Sequence, residues 1–476
     1  MLSSFILVPF LLLIILNLPF KFHQERMAFW LAGGLLIMQC AAVLVHPLLP
    51  WSTYPDSLRL FFSFQLSADT LSLIVLFTIG LVSFVSLLVA RSTIAREQQR
   101  FHFVSLLLIA LIGMNTAVLV RDIFSLYVFI EIVAVATFVL LALEKNKFAI
   151  EGTFKYLVLS IIASVFMLSA TAFFILLAGD TSFAAIRGAF SAGANTFLLN
   201  LAVGLFLCGL FIKCGVAPFH GWVPDAYSNA QASVSVLLAG IVTKVSGVYV
   251  LLRLFSSVFI LSASVQHVLL LVGALSIVFA ALAALTQGDI KRMLSYSSIS
   301  QVGYIVLALG CATPLAFAGA VFHFFNHAIF KSLLFVNAAS LEKKLGSTDM
   351  TIIAGFGPQV PVTATTSVIG LLSTAGIPPL SGFWSKLIII IALWSSGRFV
   401  YAAIALLASV LTLAYFLSLQ RNVFFVKSGM ALEEAGAVPF GMRFSEVLLA
   451  AITIVTGVGF PFILTAWLEP LQAMLH

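Results

Sequence analysis

The chain has 476 residues, of which 62% are hydrophobic and only 9% charged, with 24 Lys and Arg against 17 Asp and Glu. Its mean hydropathy of +1.17 is far above what a water-soluble core requires, and its pI near 9.3 comes without a basic patch interleaved with aromatics, which argues against nucleic acid as the partner. Apolar runs long enough to cross a bilayer core of about 30 Å as helices recur from end to end. The alternating pattern of an outer-membrane barrel is absent.

Fourteen spanning segments are expected, at roughly 2–19, 27–46, 69–90, 103–120, 123–143, 154–178, 195–217, 232–254, 266–287, 291–311, 314–341, 361–391, 401–422 and 444–467. The fold class is therefore an all-α polytopic membrane protein. The opening MLSSFILVPF carries no basic residue ahead of its apolar run and reads as a first span, not a cleaved signal. The longest loops, near 47–68, 179–194, 343–360 and 423–443, leave no room for a soluble domain, so any redox cofactor or nucleotide site belongs on another chain. Cys40, Cys208, Cys214 and Cys311 all fall in apolar segments without a CxxC pair, so neither a metal nor a disulfide is expected.

Charge sorts by side. Loops after odd-numbered segments hold fifteen Lys and Arg, Lys21 and Lys427 among them. Loops after even-numbered segments hold five: Arg59, Arg121, Arg187, Arg253 and Arg398. By the positive-inside rule both termini face away from the cytoplasm, in a multi-pass protein of the cell inner membrane. The remaining four basic residues, Lys213, Lys244, Lys331 and Lys386, lie within spans.

Two spans are broken. Segment seven carries Lys213 and then Gly215, Pro218 and Gly221, and the break exposes His220 and Asp225 as a cytoplasmic entry. Segment twelve reads GIPPLSGFWSK, with Gly376, Pro378, Pro379 and Gly382 ahead of Lys386. Proline inside a helix removes a donor and clashes with the preceding turn. Such a break must face protein or a wet cavity, never lipid. The two breaks are five segments apart, which predicts two five-helix repeats, at 103–254 (helices 4–8) and 266–422 (helices 9–13). Because each has an odd number of spans, they are inverted in the membrane. Residues 1–102 (helices 1–3) and 444–476 (helix 14) are additions to the repeats.

The chemistry is carried by ionisable groups at membrane depth, which mark a pathway by default. Segment five contains Glu131, read as the only acidic side chain deep in a span. Pairing it with Lys213 relieves the cost of burying either alone. At about 4 Å and an effective dielectric of about 20 the pair is worth about 4 kcal/mol, enough to decide whether a lysine keeps its proton near neutral pH. Arginine, always protonated, could not be switched in this way. In segment eleven His323, His327 and Lys331 are four apart and share one helical face, a pattern suited to a proton relay. A zinc site there lacks a third ligand at usable spacing. Ser295 to Gln301 of segment ten could hold waters joining Lys244 to segment eleven, or serve as helix–helix glue. The route expected runs from the break at Pro218 to Lys244, then past His323, His327 and Lys331 to Lys386.

APFHGWVPDA (217–226), LLAGIVTKVSGVYVLLR (237–253), DIKRMLSYSSISQVGY (289–304), HAIFKSLLF (327–335) and GIPPLSGFWSK (376–386) resemble the proton-conducting antiporter-like superfamily. That superfamily includes chains L, M and N of respiratory complex I, the large subunits of Mrp-type sodium/proton antiporters, and membrane subunits of energy-converting hydrogenases. The resemblance covers about 103–425. It implies fourteen helices, two inverted repeats and a hydrophilic axis, with Glu131, Lys213, Lys244, His327 and Lys386 matching the family's functional positions. Departures exist: Gln231 and Ser233 stand where many members have prolines, Ala239-Gly240 where chains L and M often have a histidine, and Gln301 replaces another histidine. Lysine at 386 disfavours the chain M pattern.

The resemblance implies a non-redox translocation subunit of an NADH:quinone oxidoreductase-like or hydrogenase-like pump, without a cofactor of its own. Its partners would be other membrane subunits and, in a redox-driven complex, subunits carrying iron–sulfur clusters, and its cargo protons, with sodium as the alternative. The alternative is a subunit of a multi-chain Mrp-type antiporter. A solute transporter ranks last, because both breaks offer titratable groups and few recognition groups.

Overall fold

The computed structural model describes residues 2–18, 24–45, 56–58, 64–193, 195–426 and 437–475. Lys21, Arg59 and Lys427, counted above for orientation, lie outside them. In chain order the helices are α1 (Ser4–Asn17), α2 (Gln24–Val45), α3 (Thr70–Thr93), α4 (Glu97–Leu119), α5 (Ile123–Leu141), α6 (Lys147–Ala178), α7 (Phe183–Ser191), α8 (Thr196–Cys214) and α9 (Trp222–Asn229). They continue as α10 (Ala232–Leu237), α11 (Val250–Ser257), α12 (Ala263–Leu285), α13 (Ile290–Cys311), α14 (Pro314–Leu345), α15 (Pro361–Ala375), α16 (Ser381–Ser395), α17 (Phe399–Gln420) and α18 (Phe440–Val458). A short antiparallel pair, Asp56–Leu58 with Phe64–Leu66, precedes α3. Among the described residues twelve helices are long and apolar enough to cross a membrane, and Ser4–Asn17 and Ser381–Ser395 are shorter apolar helices.

Hydropathy sets where a span lies, and capping sets where it starts. Asp69, Asp122, Asn146, Asp289 and Thr313 each accept a hydrogen bond from the backbone N–H three residues on, satisfying a donor that the helix itself leaves open. Segments four and six begin earlier than their apolar runs, at Glu97 and Lys147, because a charged first turn still belongs to the helix; Asn146 caps the latter. Segment twelve is two helices, α15 and α16, separated at Gly376–Leu380.

The centre of the bundle is built from α10–α11, α13 and α14. The most apolar stretches of Ala232–Ser257 and Pro314–Leu345 are 100% buried, against 28% for Lys147–Ala178. Large apolar side chains such as Phe154, Leu176, Phe197 and Phe440 cover the outer faces. Two local signatures recur. Asp122 caps α5 and accepts from Thr181 beyond α6; Asp289 caps α13 and accepts from Thr348 beyond α14. Both α6 and α14 run 32 residues and end at a left-handed glycine, Gly179 or Gly346.

Helices α12 and α13 approach until backbones touch. A Cβ on Gly273 would lie 2.5 Å from the Leu307 nitrogen, and one on Gly310 2.8 Å from the Leu270 nitrogen. Small residues permit such packing in lipid, where apolar burial between helices gains little. Gly273→Val should therefore destabilise the detergent-solubilised protein by about 2 kcal/mol or more. Gly204→Val, where a Cβ meets nothing within 4 Å, should stay within about 0.5 kcal/mol of wild type in the same thermal melt.

Candidate functional site

Helix α8 ends at Cys214 because Gly215 turns left-handed, at φ 66°. A Cβ there would also strike the Val223 side chain, so glycine is required twice over. The Trp222 indole N–H donates to the Ile212 carbonyl at 2.9 Å, closing the open end of α8, and its ring stacks on Tyr156 at 4.2 Å. One residue before the end of α8, Lys213 Nζ lies 3.0 Å from Glu131 Oε1 of α5 and donates to Ser160 Oγ of α6 at 2.7 Å. Lys213 is buried, whereas the Glu131 side chain is 26% exposed.

Asp225 and His220, expected as an entry, differ in setting. His220 is half-buried with its ring 4.7 Å from Phe279. Asp225 is no free carboxylate: it takes Lys155 of α6 and Arg292 of α13, each at 2.7 Å, and so ties α9 to two neighbours. Burial pushes its carboxyl up, but the hydrogen bonds from Lys155 and Arg292 outweigh that and hold it below the usual carboxylate range.

Lys244 owes its setting to irregular helix. Between α10 and α11 the chain winds through π-helical turns at Leu238–Val242 and Lys244–Tyr249. Such turns shift hydrogen bonds from i→i+4 to i→i+5. Lys244 Nζ donates to the Ala239 carbonyl, five residues back. Gly240 allows this irregular stretch to press on α14, since a Cβ there would overlap Ser332 Oγ.

On α14, His323, His327 and Lys331 are all fully buried. His323 Nδ1 is 2.9 Å from Ser385 Oγ of α16, and its ring is 6.2 Å from that of His327. Two positive charges at that separation would repel by about 3 kcal/mol at an effective dielectric of about 20, so the pair holds one proton far more readily than two. Neither His327 nitrogen has a protein partner. Lys331 Nζ donates to the Leu294 carbonyl of α13 at 3.2 Å and sits 5.7 Å over the Phe416 ring.

At the second break Gly376 is left-handed (φ 87°) and Asn326 Nδ2 of α14 donates to the Ser381 carbonyl at 3.0 Å. Gly382 packs so closely that a Cβ would overlap the Ser373 carbonyl oxygen. A peptide bond joins Pro378 to Pro379 in cis, as one joins Ala217 to Pro218 at the first break. Lys386 Nζ has no hydrogen-bond partner and lies 4.6 Å over the Tyr304 ring.

The serines of α13 serve mainly as glue. Ser295 and Ser298 bond back to their own helix, Ser300 donates to Ile277 of α12, and Ser297 meets Tyr415 of α17 at 2.8 Å. Gln301 alone keeps both amide atoms unpaired.

Sequence reasoning missed three buried charges. Arg253, counted with the loops, is fully buried and clamped bidentately by Asp69 at 2.5 and 2.8 Å. Lys291, also counted there, is buried and 2.6 Å from Glu342. Near the start of its span, Glu446 of α18 is also fully buried. The signal for Glu446 was present, because EVLLAAITIV continues as an unbroken apolar run beyond it. Among the described residues no three His, Cys, Asp or Glu side chains gather as a metal site would require.

A polytopic helical bundle with two broken helices and a buried basic row defines an antiporter-like membrane subunit. Residues 120–412 match the family described as NADH:quinone oxidoreductase/Mrp antiporter, transmembrane, and the chain belongs to that family. It is 33% identical to the D component of the Na(+)/H(+) antiporter of Alkalihalophilus pseudofirmus, over 83% of this chain and 80% of that protein. It is 30% identical to the N component of the NADH-quinone oxidoreductase of Desulforudis audaxviator, over 94% of this chain and 91% of the relative. A chain of the membrane-bound sulfane sulfur reductase, an archaeal respiratory membrane complex, superposes with a TM-score of 0.89 at 27% identity, over 100% of this chain and 97% of that one.

The Asp225 latch has a defined pH window. A carboxyl whose folded pKa is depressed stabilises above its unfolded pKa and loses that stabilisation as pH falls through the folded value. The melting-temperature difference between wild type and Asp225→Asn should be flat from pH 8 to about 5, begin to shrink near pH 4, the ordinary aspartate range, and vanish only below the depressed folded value. A difference that persists undiminished in acid would sink the ion-pair account.

Proposed function

We propose that the chain translocates protons within a multi-subunit complex of the inner membrane, as the non-redox pump module of a complex I-like or hydrogenase-like redox machine. The observation that carries this reading is the row of buried basic side chains from Lys213 and Lys244 through His323, His327 and Lys331 to Lys386. Among the described residues only its first member has a carboxylate partner. Groups with so few counter-charges cannot all hold protons together, which is the condition for passing one along.

Protons enter past His220 at the break near Pro218, reach Lys244, cross by the α14 histidines and Lys331, and arrive at Lys386 beside Gly376, Pro378 and Pro379. The Glu131–Lys213 pair sets the proton affinity of Lys244. The two five-helix units, 103–254 and 266–422, act as inverted repeats. The shared Asp–Thr ties and the paired 32-residue helices support that division. Both termini lie on the non-cytoplasmic side. A second reading, a component of an Mrp-type sodium/proton antiporter, is favoured by the 33% identity to an antiporter protein.

Glu131→Ala, Lys213→Ala and Lys244→Ala should each cut proton translocation by about tenfold or more in an assembled complex. Glu131→Asp should retain more activity than Glu131→Ala. Wild-type rates in any two of the alanine variants, with normal assembly, would rule out the route.

The drive is decided by what copurifies. Isolated from its host in gentle detergent, the chain should bring down iron–sulfur, flavin or nickel subunits, identified by mass spectrometry. Small hydrophobic partners alone would move the assignment to the sodium/proton antiporter.

A further inference from the structure

We propose that Glu446 is a second proton-binding carboxyl, at the outer end of a polar branch that joins Lys331 to the end of the bundle carrying Lys343, Lys344 and Arg443. The inference rests on the proton-translocation reading above and adds a station and a route to it.

Glu446 lies in the second turn of α18 and is fully buried. Its Oε1 accepts from Ser340 Oγ of α14 at 2.7 Å and from Thr363 Oγ1 of α15 at 2.9 Å, and its Oε2 is 3.1 Å from the same threonine. The amide of Asn337 is satisfied when its nitrogen donates to Thr366 Oγ1 at 3.1 Å and to Glu446 Oε1 at 3.3 Å, while its oxygen accepts from the Ser367 N–H at 3.0 Å. No cation pairs with Glu446 within 4 Å among the described residues. On α18 the exposed Arg443 stands three residues before Glu446 and attracts it without an ion pair; on α14 Lys343 is exposed and Lys344 donates to the Gln359 carbonyl at 2.9 Å. On α3 Arg91 lies over Phe29 and Trp30. Helix α15 carries no charged residue, and Lys386 of α16 sits over Tyr304.

A structural carboxylate would be expected to have a fixed cation. Hydroxyl partners are different, because each can donate to a carboxylate or accept from a carboxylic acid by rotating one bond. Glu446 can thus take and release a proton with its neighbours in place.

The branch continues inward. Ser367 accepts from Gln420 Nε2 at 2.9 Å, and Gln420 Oε1 is buried without a protein partner. Beside them is a small cavity walled by Leu294, Asn337, Ser367, Leu371, Leu419 and Phe424. Leu294 is the residue whose carbonyl holds Lys331 Nζ. From Lys331 to Asn337 is six residues, about 9 Å along α14.

The test uses the assembled complex reconstituted in vesicles, with Glu446→Gln, Glu446→Asp and Glu446→Leu, and reads proton uptake against pH together with infrared difference spectra. Glu446→Gln should lower proton translocation about tenfold, and Glu446→Asp should restore part of it. A buried carboxylic-acid C=O band that shifts in D2O should be present in wild type and missing in Glu446→Gln. Wild-type uptake at every pH in Glu446→Gln or Glu446→Leu would overturn the proposal. If the variants fail to assemble, the wild-type band decides: a titrating carboxyl band supports the station, and its absence from pH 5 to 9 overturns it. A band moved by sodium at fixed pH would also overturn it, in favour of a cation site. Loss of uptake in Glu446→Gln with full uptake in Lys213→Ala and Lys244→Ala would instead break the main route and leave Glu446 standing.

Discussion

The ion pair between Lys213 and Glu131 is the constraint from which the first half of the molecule follows. An ammonium buried among apolar helices needs an anion, and removing one partner of a buried pair costs about 3–5 kcal/mol. By holding Lys213, Glu131 and Ser160 fix α5 and α6 against the last turn of α8. The helix ends one residue later, so the pair also fixes where the break opens. Glu131 is partly exposed, which weakens the attraction by solvent screening. The result is a pair strong enough to position the helices and loose enough to be separated.

Along the row the two ends differ most in their partners. Lys213 has a carboxylate and a hydroxyl, Lys244 a carbonyl freed by a π-helical turn, and Lys331 a carbonyl and the face of a phenyl ring. Lys386 has a ring face alone. A cation over an aromatic ring gains about 0.5–2 kcal/mol, less than an ion pair in the same setting. A charge placed on this row therefore feels a graded environment, and two charges on adjacent groups repel, as the His323–His327 separation illustrates. Grading with mutual repulsion is what allows a charge to be displaced by the arrival of another.

Much of this was legible in the sequence, for reasons that also mark its limits. Spans follow from hydropathy because the bilayer imposes a length, and both breaks follow from proline and glycine at fixed places. The partner of Lys213 could be named because one acid stood out in the first repeat. Arg253 with Asp69 could not, because the two are 184 residues apart and each sits at a span end that reads as loop. Glu446 was passed over for the same reason: a carboxylate near the start of a span looks solvated until α14 and α15 are placed around it. The π-helical turns at Lys244 have no compositional mark, since Gly240 and Gly247 look like ordinary small packing residues.

Asp122 and Asp289 provide a common origin for comparing the two halves, since each caps its helix and binds a threonine 59 residues further on. Nine residues past Asp122 stands Glu131; nine past Asp289 stands Ser298. Ser160 and His327 likewise occupy equal distances from the two aspartates. The two positions that hold Lys213 in the first half, an anion and a hydroxyl, are thus a hydroxyl and an imidazole in the second. At these offsets the second half has a hydroxyl where the first has a carboxylate, and a titratable ring where the first has a hydroxyl. Lys386 lies over an aromatic face, and Ser298 bonds back to Leu294 of its own helix. Among the described residues Lys213 is therefore clamped by an anion and a hydroxyl, whereas Lys386 meets an aromatic face.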